Sequence, residues 1–396
     1  MSKSLGNVVD PAVLVDGGKN EKQDPAYGAD VLRLWVSSVD YSGDVPLGPG
    51  IIKQVGDMYR KVRNTSRFLL GHLHDFNPLP RDDGGNAIPI EELPLIDRWM
   101  LDRLAELINT VNKDFELFEF YRFFQALQNF CVVDLSNVYL DIAKDRLYIS
   151  SANDFRRRSC QTVLHIAIES LAGLIAPVLC HLAEDIWQTL REYETYDLKE
   201  MSVFERGWPE PPDTWTREPL CLDPAKIDIA LTNETEAQNV DVKALLKSVD
   251  TLIGARNLIN RQIQTARGNA SIGSSLETRL LLHLGEGSLA KELEDSIHLL
   301  SASKHPEVDN IRDWFMVSEA SIASLGEIEK SSLLVPASKE LGLVIGIALA
   351  QGEKCERCWH YEDDIGAHAE HPTVCGRCVA VLDEQKAIMA STKRQD

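Results

Sequence analysis

With 396 residues, 44% of them hydrophobic and 26% charged, the chain can bury the cores of about two to four domains, and it is neither collagen-like nor broadly disordered. Its 41 lysines and arginines against 61 aspartates and glutamates leave a net charge of -20, which excludes a globally basic nucleic-acid coat or a polybasic membrane anchor but not a local basic groove. Eight cysteines are too few for a disulfide scaffold in a chain of this size, and four of them lie in two close pairs, a pattern that favours a metal site in a reducing compartment.

The first fifty residues read as short pieces punctuated by Asp10-Pro11, Asp16-Gly17-Gly18 and Gly48-Pro49-Gly50. Met1-Ser2-Lys3-Ser4-Leu5-Gly6-Asn7 has no basic region followed by an apolar core, so no secretory signal is readable. A lysine between hydroxyls on a loop can meet a polyphosphate, although by composition alone Lys3 reads as an ordinary solvated residue. Asp30 is placed to cap a helix starting at Val31. From Ile51, the apolar positions Ile52, Val55, Tyr59, Val62 and Leu69 recur at helical spacing, and the opposite face carries Lys53, Arg60, Lys61, Arg63 and Arg67 against Asp57.

Further amphipathic helices are expected over 93–114, 116–142 and 154–191, the last kinked near Pro177, which has no amide donor. Four such helices make a bundle, with the crowded Phe115, Phe118, Phe120, Phe123, Phe124 and Phe130 mostly in its core. The proline- and tryptophan-rich stretch 192–225 predicts an irregular strap and a domain boundary. A helix over 240–267, a strand over 280–284, a helix over 289–300 and strands over 311–317 and 343–349 then predict a small α+β unit. The expected fold is mainly α: a helical bundle, a small α+β domain and a C-terminal cysteine-bearing module. The apolar stretch 163–187 is interrupted by His165, Glu169, Pro177, His181, Glu184 and Asp185, so no membrane span and a cytoplasmic location are expected. No Walker loop, no GxGxxG after a strand and no HExxH is found.

Cys355-Glu-Arg-Cys358 and Cys375-Gly-Arg-Cys378 form a CxxC–x16–CxxC pattern. Each pair can turn both sulfurs toward one point, and two such knuckles supply the four tetrahedral thiolates that zinc prefers. A closed four-sulfur shell makes the ion structural rather than catalytic; an iron–sulfur centre and a redox dithiol are the alternatives. Gly376 eases the second knuckle, and Arg357 and Arg377 can offset thiolate charge. His360, His368 and His371 read as surface or hydrogen-bonding residues, because four thiolates already fill the shell. Trp359 and Tyr361, with Lys386, Lys393 and Arg394 beyond, suit RNA stacking, or equally a cover over the metal cluster. The basic runs 53–67, 144–158 and 243–267 suit phosphate contact or solvated helix faces; if they follow phosphates, reversing Arg156, Arg157 and Arg158 to glutamate weakens RNA binding. Cys131, Cys160, Cys180 and Cys221 read as dispersed, unpaired small residues, and His165 and His181 as too far apart for a catalytic pair.

Met1-Ser2-Lys3-Ser4 resembles the KMSKS loop of class I aminoacyl-tRNA synthetases, entered at its methionine. Leu5-Gly6-Asn7-Val8-Val9-Asp10-Pro11, the block from Gly28 to Trp35 and on to Asp44, Ala183-Glu184-Asp185-Ile186-Trp187 and the cysteine pairs resemble bacterial-type isoleucyl-tRNA synthetase. The resemblance covers the whole chain but only the C-terminal part of that enzyme. It implies that 1–50 is the end of the catalytic domain with its stem-contact segment, 51–219 a helical anticodon-binding domain with a trailing strap, 220–350 an α+β junction domain and 351–396 a four-cysteine zinc domain. It also implies that Lys3 contacts ATP and stabilises the transition state for adenylate formation, with Ser2 and Ser4 beside the nucleotide, and that Cys355, Cys358, Cys375 and Cys378 hold one structural zinc. The family joins isoleucine to tRNA(Ile) using ATP with magnesium, and its Rossmann core, HIGH motif and editing domain lie upstream of KMSKS. The expectation is a monomer that binds tRNA(Ile), engages ATP and isoleucine only together with the N-terminal catalytic part, and forms no adenylate by itself. A free-standing tRNA-binding protein and a zinc-stabilised scaffold are the competing readings.

Overall fold

The computed structural model describes residues 10–20, 25–45, 47–193, 200–223, 226, 242–269, 271–333 and 342–392. In chain order the helices and strands are α1 (Pro11–Asp16), α2 (Ala29–Ser38), α3 (Pro49–Gly71), α4 (Leu95–Glu116), α5 (Phe120–Asn129), a π-helical stretch (Phe130–Tyr139), α6 (Leu140–Ile149), α7 (Phe155–Ile175), α8 (Cys180–Glu192), α9 (Thr214–Arg217), α10 (Val242–Gly268), β1 (Thr278–Leu284), α11 (Ser288–Ala302), α12 (Ile311–Phe315), β2 (Glu319–Ile322), α13 (Leu325–Ser331), β3 (Leu343–Leu349), β4 (Glu353–Lys354), β5 (Tyr361–Glu362) and α14 (Gly376–Thr392). The mainly helical class holds. The described residues fall into two compact units, one within 1–87, 100–139 and 161–215, the other within 88–99, 140–160 and 216–396.

The first unit is all helical. Here α2 packs on α3 and α5, and α3 on α8. Val31, Leu34, Val55, Leu69, Leu104, Ile108, Phe123, Leu135, Leu171 and Trp187 fill its interior. The polar face of α3 presents Lys53, Arg60, Lys61, Arg63 and Arg67 to solvent, as the periodicity requires.

Two long helices expected from the pattern are interrupted for identifiable reasons. Over 116–142, Phe118 adopts a left-handed backbone (φ 58) before α5. Beyond α5 the chain widens to π-helix, and the Ser136 hydroxyl donates to the Cys131 carbonyl five residues back (2.6 Å). Over 154–191, Pro177 breaks the helix rather than kinking it. The carbonyls freed at Pro177 and Val178 accept from the Arg33 guanidinium (2.6 and 2.9 Å), so the break is satisfied from α2. The strap bends over the same unit: Trp187 Nε1 donates to the Glu200 carbonyl (3.1 Å) and Arg206 pairs with Glu169 (2.9 Å).

The second unit holds a three-stranded sheet of order β2-β1-β3, with β1 parallel to β2 and antiparallel to β3. The apolar runs of β1 and β3 are almost wholly buried, with α10 and α13 packed on β3. The strand expected over 311–317 is instead α12. Asn310 caps it by accepting from the Asp313 amide (2.9 Å), and Met316 ends it in the left-handed conformation (φ 55). The β-strand follows at β2.

Asp309 secures the start of α4 within this unit. Its carboxylate accepts from the amides of Leu95 (2.8 Å) and Ile96 (3.4 Å) and from the Ser303 hydroxyl (2.6 Å). Burial outweighs these donors and pushes the carboxyl up to about 6. A folded-state value above the ordinary one means that the protonated form stabilises the fold. That contribution is fully present below the unfolded value of about 4 and is lost as the pH rises through about 6. Asp309→Asn has no charge to bury, so it is expected to gain stability relative to wild type between about pH 4 and pH 7, by up to about 3 kcal/mol. Urea midpoints for both proteins at the two pH values measure this directly.

Candidate metal centre

The cysteine module grows from a short hairpin. Here β4 pairs antiparallel with β5, aligning Glu353 with Glu362 and Lys354 with Tyr361. Gly352 opens it at φ 79, where a side chain would strike the Glu362 carbonyl. The first knuckle closes as the Cys355 amide donates to the His360 carbonyl (2.8 Å) and the Trp359 amide to the Cys355 carbonyl (2.9 Å). The second knuckle runs into the first turn of α14, where the Val379 amide donates to the Cys375 carbonyl (3.0 Å). Gly376 is required by proximity as well as by the turn: its amide donates to Asp364 Oδ2 (2.7 Å), and a Cβ there would lie 2.9 Å from that oxygen.

Cys355, Cys358, Cys375 and Cys378 are all buried, and their sulfurs lie within 4.8 Å of one another. Two of the separations are 3.8 Å (Cys355 to Cys378) and 3.7 Å (Cys358 to Cys375). A tetrahedral shell of zinc–sulfur bonds of about 2.3 Å has edges of about 3.8 Å, whereas a disulfide needs about 2.05 Å. The cluster can therefore coordinate a structural zinc ion. The Cys375 amide donates to Cys355 Sγ (3.4 Å) and Arg357 to Cys378 Sγ (3.7 Å), the kind of support that steadies thiolates. His360, His368 and His371 are outside the four-sulfur group. Burial holds the His360 imidazole below its usual range, His368 pairs with Asp364 (3.1 Å), and His371 meets Lys386 (3.0 Å).

The module is fastened to the rest of its unit by charge. Arg377 grips Asp145 of α6 with two hydrogen bonds (2.6 and 2.9 Å), and Arg156 adds a third (3.0 Å). Burial opposes ionisation of Asp145, but these arginines hold its carboxyl below the usual range. Arg312 pairs with Glu362 (3.0 Å), and the Tyr361 amide donates to the Ser318 hydroxyl (2.8 Å). Trp359 is no cover for the cluster. It sits at φ 68 and 61% exposed, with Lys354 Nζ 5.5 Å from its ring centre, on the rim of a cavity of about 370 Å³ lined by Tyr148, Ile149, Met316 and Arg357.

Three family models match the chain in sequence order. The "tRNA synthetases class I (I, L, M and V)" family matches residues 1–48, the "anticodon-binding domain of tRNA ligase" 97–282, and the "zinc finger found in FPG and IleRS" 352–381. Isoleucine–tRNA ligase of Prochlorococcus marinus (strain MIT 9313) is 51% identical over 385 residues, 97% of this chain and 35% of that protein. The Synechococcus sp. (strain CC9311) ligase is also 51% identical over 385 residues, with the same coverage, and that of Crocosphaera subtropica is 48% identical over 384 residues, 96% of this chain and 36% of the ligase. The chain matches the C-terminal third of isoleucyl-tRNA synthetases. It thus spans only about 35% of the length of these curated relatives.

Against the synthetase pattern, the structure brings all four cysteines together. Lys3, Ser2 and Ser4 lie outside the described residues, as do Lys393 and Arg394. The basic run at 144–158 requires correction. Arg146, Arg156 and Arg158 are 2%, 8% and 5% exposed, and they bond to Asp97, to Asp145 with Asp313, and to Asn153. In the helix over 240–267, Arg256 is likewise buried against Asp141 and the Trp314 carbonyl. These arginines are internal struts, and reversing 156–158 would break the fold rather than report on RNA. Among the described residues, the basic face of α3 carries no such ties beyond Arg60 to Asp57. Sequence reasoning also missed Asp145 and Asp309, whose partners lie far along the chain.

Proposed function

We propose that this chain supplies the tRNA-binding part and the KMSKS segment of an isoleucine–tRNA ligase, the enzyme that uses ATP to join isoleucine to tRNA(Ile). The observation that carries this reading is the colinear similarity, about 51% identity across 97% of the chain. The convergent four-sulfur cluster supports it. Cys355, Cys358, Cys375 and Cys378 are the ligands of one structural zinc, and Lys3, with Ser2 and Ser4, faces the ATP phosphates when the catalytic part is present. The boundaries at 50, 219 and 350 separate the catalytic end, the anticodon-binding helices, the junction domain and the zinc domain. No helix among the described residues is long and apolar enough to cross a membrane, and the cytoplasm is the compartment this reading requires.

Among the described residues, the face of α3 that exposes Lys53, Lys61, Arg63 and Arg67 is the surface best suited to phosphates. The 396-residue chain is expected to bind isoleucine tRNA more tightly than an unrelated tRNA, and to give no isoleucine-dependent ATP–pyrophosphate exchange by itself. Charge reversal at Lys61, Arg63 and Arg67 is expected to lower the slope of log affinity against log salt by about 0.7–0.9 per phosphate contact removed. Equal affinity for all tRNAs would leave a general RNA binder, and no RNA binding would leave the scaffold reading.

A further inference from the structure

A second cluster of metal-ligating side chains lies in the all-helical unit, on α2 and the start of α8. Asp30 does not cap its own helix, which begins one residue earlier at Ala29. Its carboxylate, 4% exposed, reaches across to α8 instead. Oδ2 accepts from the Leu182 amide (2.9 Å), and Oδ1 from the His181 amide (3.3 Å). Oδ1 also lies 2.9 Å from His181 Nδ1 and 3.7 Å from Cys180 Sγ, and that sulfur is 3.4 Å from the same ring nitrogen. One oxygen, one nitrogen and one sulfur thus form a triangle with edges of 2.9, 3.4 and 3.7 Å.

The two edges to sulfur, 3.4 and 3.7 Å, are close to those of one face of a tetrahedron around zinc, and the 2.9 Å oxygen–nitrogen edge, now a hydrogen-bond contact, has to open by about 0.4 Å. Bonds of about 2.0–2.1 Å to nitrogen and oxygen and about 2.3 Å to sulfur give edges of about 3.3–3.6 Å. The backbone already fixes the donors. Cys180 and His181 are consecutive at a helix start, and Asp30 is held by amides that leave Oδ1 facing the ring. The fourth direction is open, because the His181 side chain is 70% exposed and Cys180 is half-buried. A thiolate, an imidazole and a carboxylate with one open position suit zinc or a similar borderline-soft divalent cation. They do not suit magnesium or calcium, which prefer all-oxygen shells.

We propose that Asp30, Cys180 and His181 form an exchangeable binding site for a zinc-class divalent cation, separate from the four-cysteine centre. Binding displaces the Cys180 thiol proton and the Nδ1 proton contact to Asp30, leaving both backbone amide bonds to the carboxylate in place. A bound ion ties α2 to α8 more firmly than the cap alone. The open position marks this as a site that loads and empties with free metal, unlike the closed four-sulfur shell.

The test uses the full chain, equilibrated in zinc buffered at a series of free concentrations, with bound metal counted per chain. Wild type is expected to carry about one equivalent more than His181→Asn at micromolar free zinc. That difference is independent of whatever the four cysteines hold, so failure of the four-thiol assignment and failure of this one are distinguishable. Because His181 is exposed, the variant keeps the fold, and a matching thermal melt verifies this. Alkylation of Cys180 provides a second readout: zinc is expected to slow it at least tenfold in wild type and to have no effect in His181→Asn. Equal metal counts in the two proteins, or alkylation of Cys180 indifferent to zinc, would overturn the proposal.

Discussion

Stripping zinc from the chain under reducing conditions is expected to unravel residues 353–392. The reason is arithmetic of size. Among the described residues, the buried cluster of the module contains the four cysteines and Val374, with Ile149, Ile365, Val379 and Leu382 packed partly against it. So few apolar side chains make no core able by itself to order some forty residues. Coordination of the four thiolates supplies what that core does not, as it does in small zinc folds. Without an ion the thiols of Cys358, Cys375 and Cys378 compete for protons in one buried space. Cys375 is pushed up to about 11 as its neighbour Cys358 presses on it, while Cys358 is driven down by thiol donors around it. Such a cluster has no reason to stay closed. The expected result is rapid proteolysis within 353–392 and alkylation of all four thiols after chelation, with both suppressed when zinc is restored. Cys378→Ala should reproduce the metal-free behaviour. Cys131 serves as an internal control: it is fully buried in the helical unit, burial pushes its thiol up to about 12, and it should remain unmodified throughout. A zinc-free module that resists both protease and alkylation would remove the ion from the architecture.

The parts of this protein that were legible in its sequence are those written in local spacing. The apolar period of 49–71, the β-branched run at 343–349 and the two CxxC knuckles each encode their structure within a few turns of chain, and each appears where the pattern places it. What the sequence hides is pairing at a distance. Arg156, Arg157 and Arg158 look like a basic patch because the sequence shows their neighbours along the chain. The clearest case is Arg156, which reaches Asp313, 157 residues along the chain, as well as Asp145; Arg158 bonds nearer by, to Asn153. The Arg377 and Asp145 pair spans 232 residues, so no window of sequence could have linked the second knuckle to α6. Asp30 shows the same effect in a cap. Its position before a helical pattern predicts a local role, but the carboxylate serves the helix that begins 150 residues later. Even for α12 the signal was present, since Asn310 precedes Asp313 at capping distance, but the apolar composition of 311–317 argued for a strand.

Asp97→Ala is expected to destabilise the chain by about 3–5 kcal/mol, because it strands the Arg146 guanidinium in the interior. Arg146 is 2% exposed and Asp97 is completely buried. Two parallel bonds join them, Nη1 to Oδ1 at 2.8 Å and Nη2 to Oδ2 at 2.5 Å. Arg146 also donates from Nε to the Arg156 carbonyl (2.8 Å) and from Nη2 to the Ser159 hydroxyl (2.8 Å). The guanidinium thus locks the first turn of α4, α6 and the start of α7 into one arrangement, with almost every donor used. Removing the carboxylate leaves a full charge with no water to replace its partner, whereas removing both charges leaves only a volume to fill. The double variant Asp97→Leu with Arg146→Met is therefore expected to recover most of the loss, even though it deletes more hydrogen bonds than the single change. Urea denaturation of wild type, Asp97→Leu, Arg146→Met and the double variant gives the coupling energy. The same cycle separates strut from RNA contact: a phosphate-binding Arg146 would lose tRNA affinity in the double variant at unchanged stability. A buried strut leaves tRNA affinity at the wild-type level once the double variant has restored the fold.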